Sequence, residues 1–315
     1  MPCENSNDAN NKSTRRMKNK VIKNFGASNR DKLINLSMKT GRDYNALLRQ
    51  FFQERFLYRL SKSSYREKLI LKGALLLVSH NISMYRPTKD IDFLGRAVQV
   101  GLDECEKIIS EITAIDVEDG VIFDSQNLKS EIIKEEADYS GVRISVPYKM
   151  DTIIGNISID ISYGDKIVKG PIETDYPPLI DLQPPKLLVY SLESSIAEKI
   201  ESIVKLNLVT SRMKDFYDIL FIAGNKTFES TTLREAIETT FHTRETILRD
   251  RKSIYSDKFK SDKIKQQQWS AFLTKNKLDT EKDFIIIIEM LEKFIEPLFT
   301  SNVAQSWNSK KWKWE

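Results

Sequence analysis

Within Arg86-Pro87-Thr88-Lys89-Asp90-Ile91-Asp92-Phe93-Leu94, two aspartates flank one isoleucine. The segment reads as a short strand, and alternate side chains of a strand share a face, so Asp90 and Asp92 point the same way. Two like charges side by side disfavour joint ionisation. A divalent cation removes that conflict, and hard carboxylate oxygens at this spacing suit Mg²⁺. The pair therefore points to metal-assisted phosphoryl chemistry. A third carboxylate is offered by Asn156-Ile157-Ser158-Ile159-Asp160-Ile161-Ser162-Tyr163-Gly164-Asp165. There Asp160 faces away from Ile159 and Ile161, placed to complete a metal site or to take the proton of an attacking hydroxyl. Asp165, behind a glycine, is the rival, although that position also suits a turn cap.

Three further clusters could handle phosphate. In Leu71-Lys72-Gly73-Ala74-Leu75, a small-residue turn at a helix start exposes backbone N–H groups, which suits phosphate; Gly73 equally allows two elements to pack closely. In Ser195-Ile-Ala-Glu198-Lys199, a helical lysine among apolar neighbours can reach a triphosphate as a point charge, or lie along the core surface with its ammonium in water. In Ser211-Arg212-Met213-Lys214-Asp215-Phe216-Tyr217-Asp218-Ile219, the aspartates lie three apart and share a helix face, with Arg212 and Lys214 at the helix start. Taken singly, such charges also fit a solvated cap.

The elements that must position these groups follow from periodicity. Residues 27–60 read as two helices, the first capped by Ser28 or Asn29 and ended by Gly41, the second opened by Asp43 or Tyr44. The second carries Leu47, Leu48, Phe51, Phe52, Phe56, Leu57 and Leu60 at helical spacing. Ser64–Glu67 has the form of a capping box before Leu69-Ile70-Leu71, with Gly73 interrupting the run. Strands are expected at 91–94, 120–124, 142–147 and 156–162, with a helix over 103–115 and a further strand at 189–191. Beyond that, 194–206, 213–223, 231–250, 264–275 and 281–298 all have helical patterning. An α+β half followed by an α-helical half is the natural division, with the boundary among the prolines near 182–192. The expected organisation is a disordered basic leader over 1–26, a catalytic core with N-terminal helices over 27–185, and a helical domain over 186–315.

Composition narrows the function. The 315 residues carry a net charge of only +4, so nucleic-acid binding does not follow from the total. The charge is unevenly spread: residues 1–60 hold thirteen Lys/Arg against five Asp/Glu, whereas residues 101–140 hold twelve acidic against three basic. The basic region could meet a polyanion, and RNA is expected to approach from the side away from the acidic one. Cys3 and Cys105 are too far apart in sequence to suggest a disulfide framework, which favours a reducing cytoplasm. Two histidines, His80 and His242, argue against zinc or His-based acyl transfer. No apolar run approaches the ~20 residues that span a bilayer. The polar first sixteen residues lack the apolar centre of a secretion signal, and Met17 offers an alternative start. The tail, Trp307 to Glu315, interleaves tryptophan with lysine; it either stacks on single-stranded nucleic acid or, as favoured here, tucks against the helical half.

Taken in order, Lys72-Gly73, Arg86-x-Thr88-x-Asp90-Ile-Asp92-Phe93, Ala197-Glu198-Lys199 and Arg212-x-Lys214-Asp215-x-Tyr217-Asp218-Ile219 resemble the AbiEii-type, MenT-like nucleotidyltransferase toxins of the polymerase-β-like superfamily. The resemblance covers roughly residues 65–225. It implies a polymerase-β-like core, a mixed sheet with flanking helices, followed by a helical domain. It also implies transfer of a nucleoside monophosphate from an NTP to RNA, in characterised relatives the 3′ end of tRNA, with a cognate antitoxin as partner and abortive infection of phage as a common role. By the resemblance Asp90 and Asp92 would bind Mg²⁺, Lys199 would hold the triphosphate and Asp215 would support the site; Asp160 joins them from the strand reading above, as third metal carboxylate or proton acceptor. These five form the expected catalytic set, and Lys72, Gly73, Ala74, Arg86, Lys199, Arg212 and Lys214 the expected nucleotide-binding set. One departure stands out: where the family usually has a second glycine and then Ser or Thr, this chain has Ala74-Leu75, so a hydroxyl contact to phosphate is missing. Competing expectations are transfer of nucleotide or phosphate to a protein hydroxyl, and a degenerate site that binds RNA or a partner without chemistry.

Overall fold

The computed structural model describes residues 24–80, 82, 86–97, 101–134 and 140–315. Most of the expected leader, with Cys3 and Met17, lies outside them. Two helices come first, α1 (Phe25–Thr40) and α2 (Tyr44–Lys62). Asn24, rather than Ser28 or Asn29, caps α1 by accepting from the Ala27 N–H, so the helix begins a turn earlier than the sequence implied. Gly41 ends it in the left-handed region at φ 69°, and Asp43 caps α2.

The chain then runs β1 (Leu69–Lys72), α3 (Gly73–Ser79), β2 (Asp90–Gly95), α4 (Leu102–Thr113), β3 (Ile122–Phe123), β4 (Lys129–Lys134), β5 (Ser140–Met150), β6 (Ile153–Ser162), β7 (Ile172–Asp175) and β8 (Lys186–Val189). Among the described residues these strands make one eight-stranded mixed sheet, ordered β3-β5-β6-β2-β1-β8-β7, with β4 also on β5. The capping box at Ser64–Glu67 does not open a helix. Leu69–Lys72 is buried throughout and inserts between β2 and β8, and a fully buried central strand has the continuous apolar run that also mimics a helix. The expected strand at 189–191 falls earlier, as β8, and β1, β4 and β7 were not foreseen.

From Leu192 the remaining chain is almost wholly helical: α5 (Leu192–Leu206), α6 (Met213–Asn225), α7 (Ser230–Thr243), α8 (Asp257–Lys260), α9 (Lys263–Asn276) and α10 (Phe284–Ile295), then a small hairpin of β9 (Trp307–Asn308) and β10 (Lys313–Trp314). The segment expected as one helix over 231–250 breaks at Thr243, and Leu248–Tyr255 is a separate 3₁₀ stretch. The tail tucks in: Trp307, Trp312 and Trp314 donate their indole N–H groups to the carbonyls of Ala223, Met290 and Phe294.

Helix α2 is buried along most of its length, against α1, α4, β6 and β8, so its polar residues need internal partners. Arg59 makes a bidentate pair with Asp119 at 2.9 and 3.1 Å. Gln53 donates to the carbonyl of Lys89 at 3.1 Å, which fixes the chain just before Asp90. The helix thus serves the site by holding the start of β2.

Candidate active site

The site begins with strand alternation. On β2, Ile91 and Phe93 are fully buried, while Asp90 and Asp92 face the other way, into a cleft of about 500 Å³. β6 runs parallel to β2 and puts Asp160 directly opposite Asp92, with Ile159 and Ile161 in the core as expected. β5 places Arg143 opposite Asp160, and β1 places Lys72 opposite Asp92. One row across four adjacent strands therefore reads Lys72, Asp92, Asp160, Arg143: two carboxylates bracketed by two cations.

Each member of the row has a defined environment. Arg143 grips both oxygens of Asp160, at 2.8 and 2.7 Å. Lys72 reaches Asp165 at 3.1 Å and Glu198 at 2.8 Å. Asp92 is pushed up to about 6 by burial, reinforced by the nearby charges of Asp160 and Asp90 and only partly offset by Lys214 and Lys72. Gly73 makes room for it: with φ at +67°, any Cβ there would lie 1.9 Å from Asp92 Oδ2. Glycine is required twice at this position, for its backbone angle and for its missing side chain.

The helical half supplies the opposite wall. Ser195, Glu198, Lys199 and Ser202 line the cleft from one face of α5, while Ile196, Ile200 and Ile203 on the other face are buried. Lys199 Nζ donates to Asp215 at 3.1 Å and Asp218 at 2.9 Å. Arg86 makes a bidentate pair with Asp218, at 2.7 and 2.6 Å, and Arg212 pairs with Asp215. Burial alone would raise Asp215, but Lys199, Arg212 and Lys214 outweigh it and bring it down to about 2. Asp218 is likewise held low by Lys199 and Arg86 against its burial, and Lys199 is raised by both aspartates.

All of Lys72, Gly73, Ala74, Arg86, Asp90, Asp92, Asp160, Lys199, Arg212, Lys214 and Asp215 line this cleft. Asp165 does not; it sits behind Lys72, paired also with Arg244 at 3.0 Å. The sequence pointed to Lys199 as the triphosphate cation, but its ammonium is shared between two carboxylates. Lys214 differs: it is exposed in the cleft and, among the described residues, has no ion pair or hydrogen bond. Sequence reasoning missed Arg143 and Arg244. Arg143 becomes visible only once β5 is registered against β6, and no local signal marks Arg244, at the end of α7.

Among the described residues no group of three or more His, Cys, Asp or Glu is gathered so as to hold a metal ion. Asp160 differs from Asp90 and Asp92 in carrying a bidentate arginine, Arg143, on its two oxygens. Asp90 and Asp92 still fit Mg²⁺. They are hard donors on one face, Asp92 is raised by burial first and by the charges of Asp160 and Asp90 second, and Mg²⁺ commonly takes one or two carboxylates and completes its shell with water and substrate phosphates.

A search of curated proteins returned no match. Among solved structures, JHP933 from Helicobacter pylori aligns over 81% of this chain and 94% of its own, with 16% identity and a TM-score of 0.47. A candidate nucleotidyltransferase from H. pylori aligns over 87% of this chain and 98% of its own, with 15% identity and a TM-score of 0.43. The family model described as nucleotidyl transferase AbiEii toxin, Type IV TA system, matches residues 55–296, which takes in every cleft residue named above. The chain belongs to the AbiEii family of nucleotidyltransferase toxins from type IV toxin–antitoxin systems.

Proposed function

We propose that this cleft transfers a nucleoside monophosphate from an NTP to the terminal hydroxyl of an RNA, the 3′ end of tRNA, in a Mg²⁺-dependent reaction in the cytoplasm. A cognate antitoxin would counter the resulting growth arrest, and abortive infection of phage is the setting the reading favours. The carrying observation is that Asp90 and Asp92 face one cleft that Lys199 and Lys214 also line. No described helix is long and apolar enough to cross a membrane.

In phosphoryl transfer the protein chiefly positions groups and balances charge. Asp90 and Asp92 would hold Mg²⁺, which when bound would neutralise phosphate charge and activate the attacking hydroxyl. Lys214 is the cation ready to meet the triphosphate without first leaving a carboxylate. Lys199 holds Asp215 and Asp218 together and, through Arg86 on Asp218, ties the helical half to the segment that leads into Asp90. Asp160, held by Arg143 opposite Asp92, would accept a hydrogen bond from the incoming hydroxyl. Lys72, Gly73, Ala74 and Arg212 complete the nucleotide-binding wall. Gly73 and Ala74 put backbone there in place of the absent hydroxyl.

The test offers total RNA with each NTP in turn, labelled at the α- or the γ-phosphate. The expected product is RNA carrying α-label, lost in Asp92→Asn. Label appearing only from the γ-position, or on protein and never on RNA, would refute the assignment.

A further inference from the structure

A second cavity, of about 390 Å³, lies beside the catalytic cleft. Its lining takes in Arg42, just before α2, and Arg49 on α2, together with Lys275 at the end of α9 and Lys277, which caps it. The lining also includes Arg86-Pro87-Thr88, and Arg86 and Thr88 line the catalytic cleft as well. The two cavities are thus neighbours across one short stretch of chain.

The charge pattern differs from that of the catalytic cleft, where almost every cation is already paired. Among the described residues, none of Arg42, Arg49, Lys275 and Lys277 forms an ion pair. Among the described residues the Arg42 guanidinium donates only to Gln50 Oε1, at 2.6 Å. The single carboxylate on the lining, Asp43, is engaged as the cap of α2, accepting from the Ala46 N–H at 2.8 Å. Four cations without an ion pair among the described residues, with one occupied acid on the same lining, make a seat for a polyanion. Unlike the self-satisfied ion pairs around Lys72 and Arg244, this seat has charge to spare.

We propose that this cavity holds the phosphate backbone of the acceptor RNA as a single strand, with the last nucleotide crossing Thr88 towards Asp90. This rests on the nucleotidyl-transfer reading above. A strand modified at its end must lie next to the reacting phosphorus, and the Arg86–Thr88 wall is shared by both cavities. Cations gathered along one cavity track a phosphate backbone without regard to sequence.

The experiment measures binding of a short dye-labelled single-stranded RNA by fluorescence anisotropy, in EDTA, over a salt series. The variant combines Lys275→Gln with Lys277→Asn. Asparagine suits the left-handed backbone at Lys277, where φ is 54°, so the end of α9 is kept. RNA affinity should fall on the order of tenfold, and the slope of log K against log salt should flatten by ~1.4, from two lost phosphate contacts at ~0.7 each. NTP binding measured by calorimetry should not change, because neither lysine lines the catalytic cleft. A folded variant with unchanged RNA affinity and slope overturns the proposal. Polyglutamate competing as well as RNA at equal charge overturns it too, marking a surface for an acidic protein instead. If RNA affinity falls as stated while the wild type transfers no nucleotide to any RNA, the cavity assignment stands and the catalytic reading fails.

Discussion

Asp92→Asn should make the metal-free protein more stable while removing its activity. Asp92 is driven from an ordinary 3.8 to about 6 by burial and by the neighbouring carboxylates Asp160 and Asp90. A carboxylate raised in the folded state binds a proton that the unfolded chain has already released. Folding is therefore opposed increasingly as pH climbs from about 4 to about 6, and the full penalty persists above that. Each pK unit is worth ~1.4 kcal/mol, which sets a ceiling of ~3 kcal/mol at neutral pH, and partial access to cleft water reduces it to roughly 1–3. Asparagine keeps the shape without the charge. In urea titrations with EDTA, Asp92→Asn should exceed the wild type by that amount at pH 7.5 and match it near pH 4. Adding Mg²⁺ should stabilise the wild type and leave the variant unmoved. A variant less stable than the wild type at pH 7.5, or a difference independent of pH, would refute the electrostatic argument.

Gly73→Ala should lower nucleotide transfer by ~10² or more, although alanine normally favours a helix, because its methyl group would occupy the place of the Asp92 carboxylate; steady-state kinetics would check this. Lys214→Ala should raise the KM for NTP roughly tenfold, the worth of one phosphate contact at ~1.4 kcal/mol, and shift stability by less than ~0.5 kcal/mol, since the side chain is exposed and makes no ion pair among the described residues. Asp215→Asn should cost ~1–3 kcal/mol at neutral pH by removing the buried carboxylate that Lys199 and Arg212 share, leaving Lys199 with Asp218. Because Asp215 is held down near 2, its contribution is complete above the ordinary 3.8 and is lost as pH falls through about 2, so the variant and wild-type unfolding curves should converge in acid.

The chemistry was more legible than the scaffold that holds it. Asp90 and Asp92 were readable because strand alternation is local: a two-residue spacing fixes a shared face whatever the partners are. Asp160 was readable for the same reason, and its buried neighbours Ile159 and Ile161 confirmed the alternation. Its place beside Asp92 was not, since parallel pairing between β2 and β6 joins segments about seventy residues apart through a register no local pattern encodes. β1 was misread because Leu69–Lys72 is buried on both faces and has no alternation to show. The helical half was easier, α5 and α6 being amphipathic, yet their charges looked like solvated caps. Only packing reveals that Asp215 and Asp218 are almost wholly inaccessible and that Lys199 and Arg86 are there to satisfy them.

Those two groups of carboxylates explain why the cleft is ordered and reactive at once. Asp215 and Asp218 are deeply buried but answered by Lys199, Arg86 and Arg212, so their charge is an asset to the fold and pins the helical wall to the sheet side. Asp92 is not answered in that way. Arg143 is spent on Asp160, Lys72 is drawn off to Asp165 and Glu198, and Lys214 stands at a distance that only moderates the repulsion. The negative charge left over is therefore concentrated on the β2 face rather than spread around the cleft. A cation arriving there relieves strain that the protein has already built in, so its binding and the stability of the fold must rise together. A triphosphate arriving alone meets that same charge as repulsion, which makes joint binding with a cation the favourable route into the cleft.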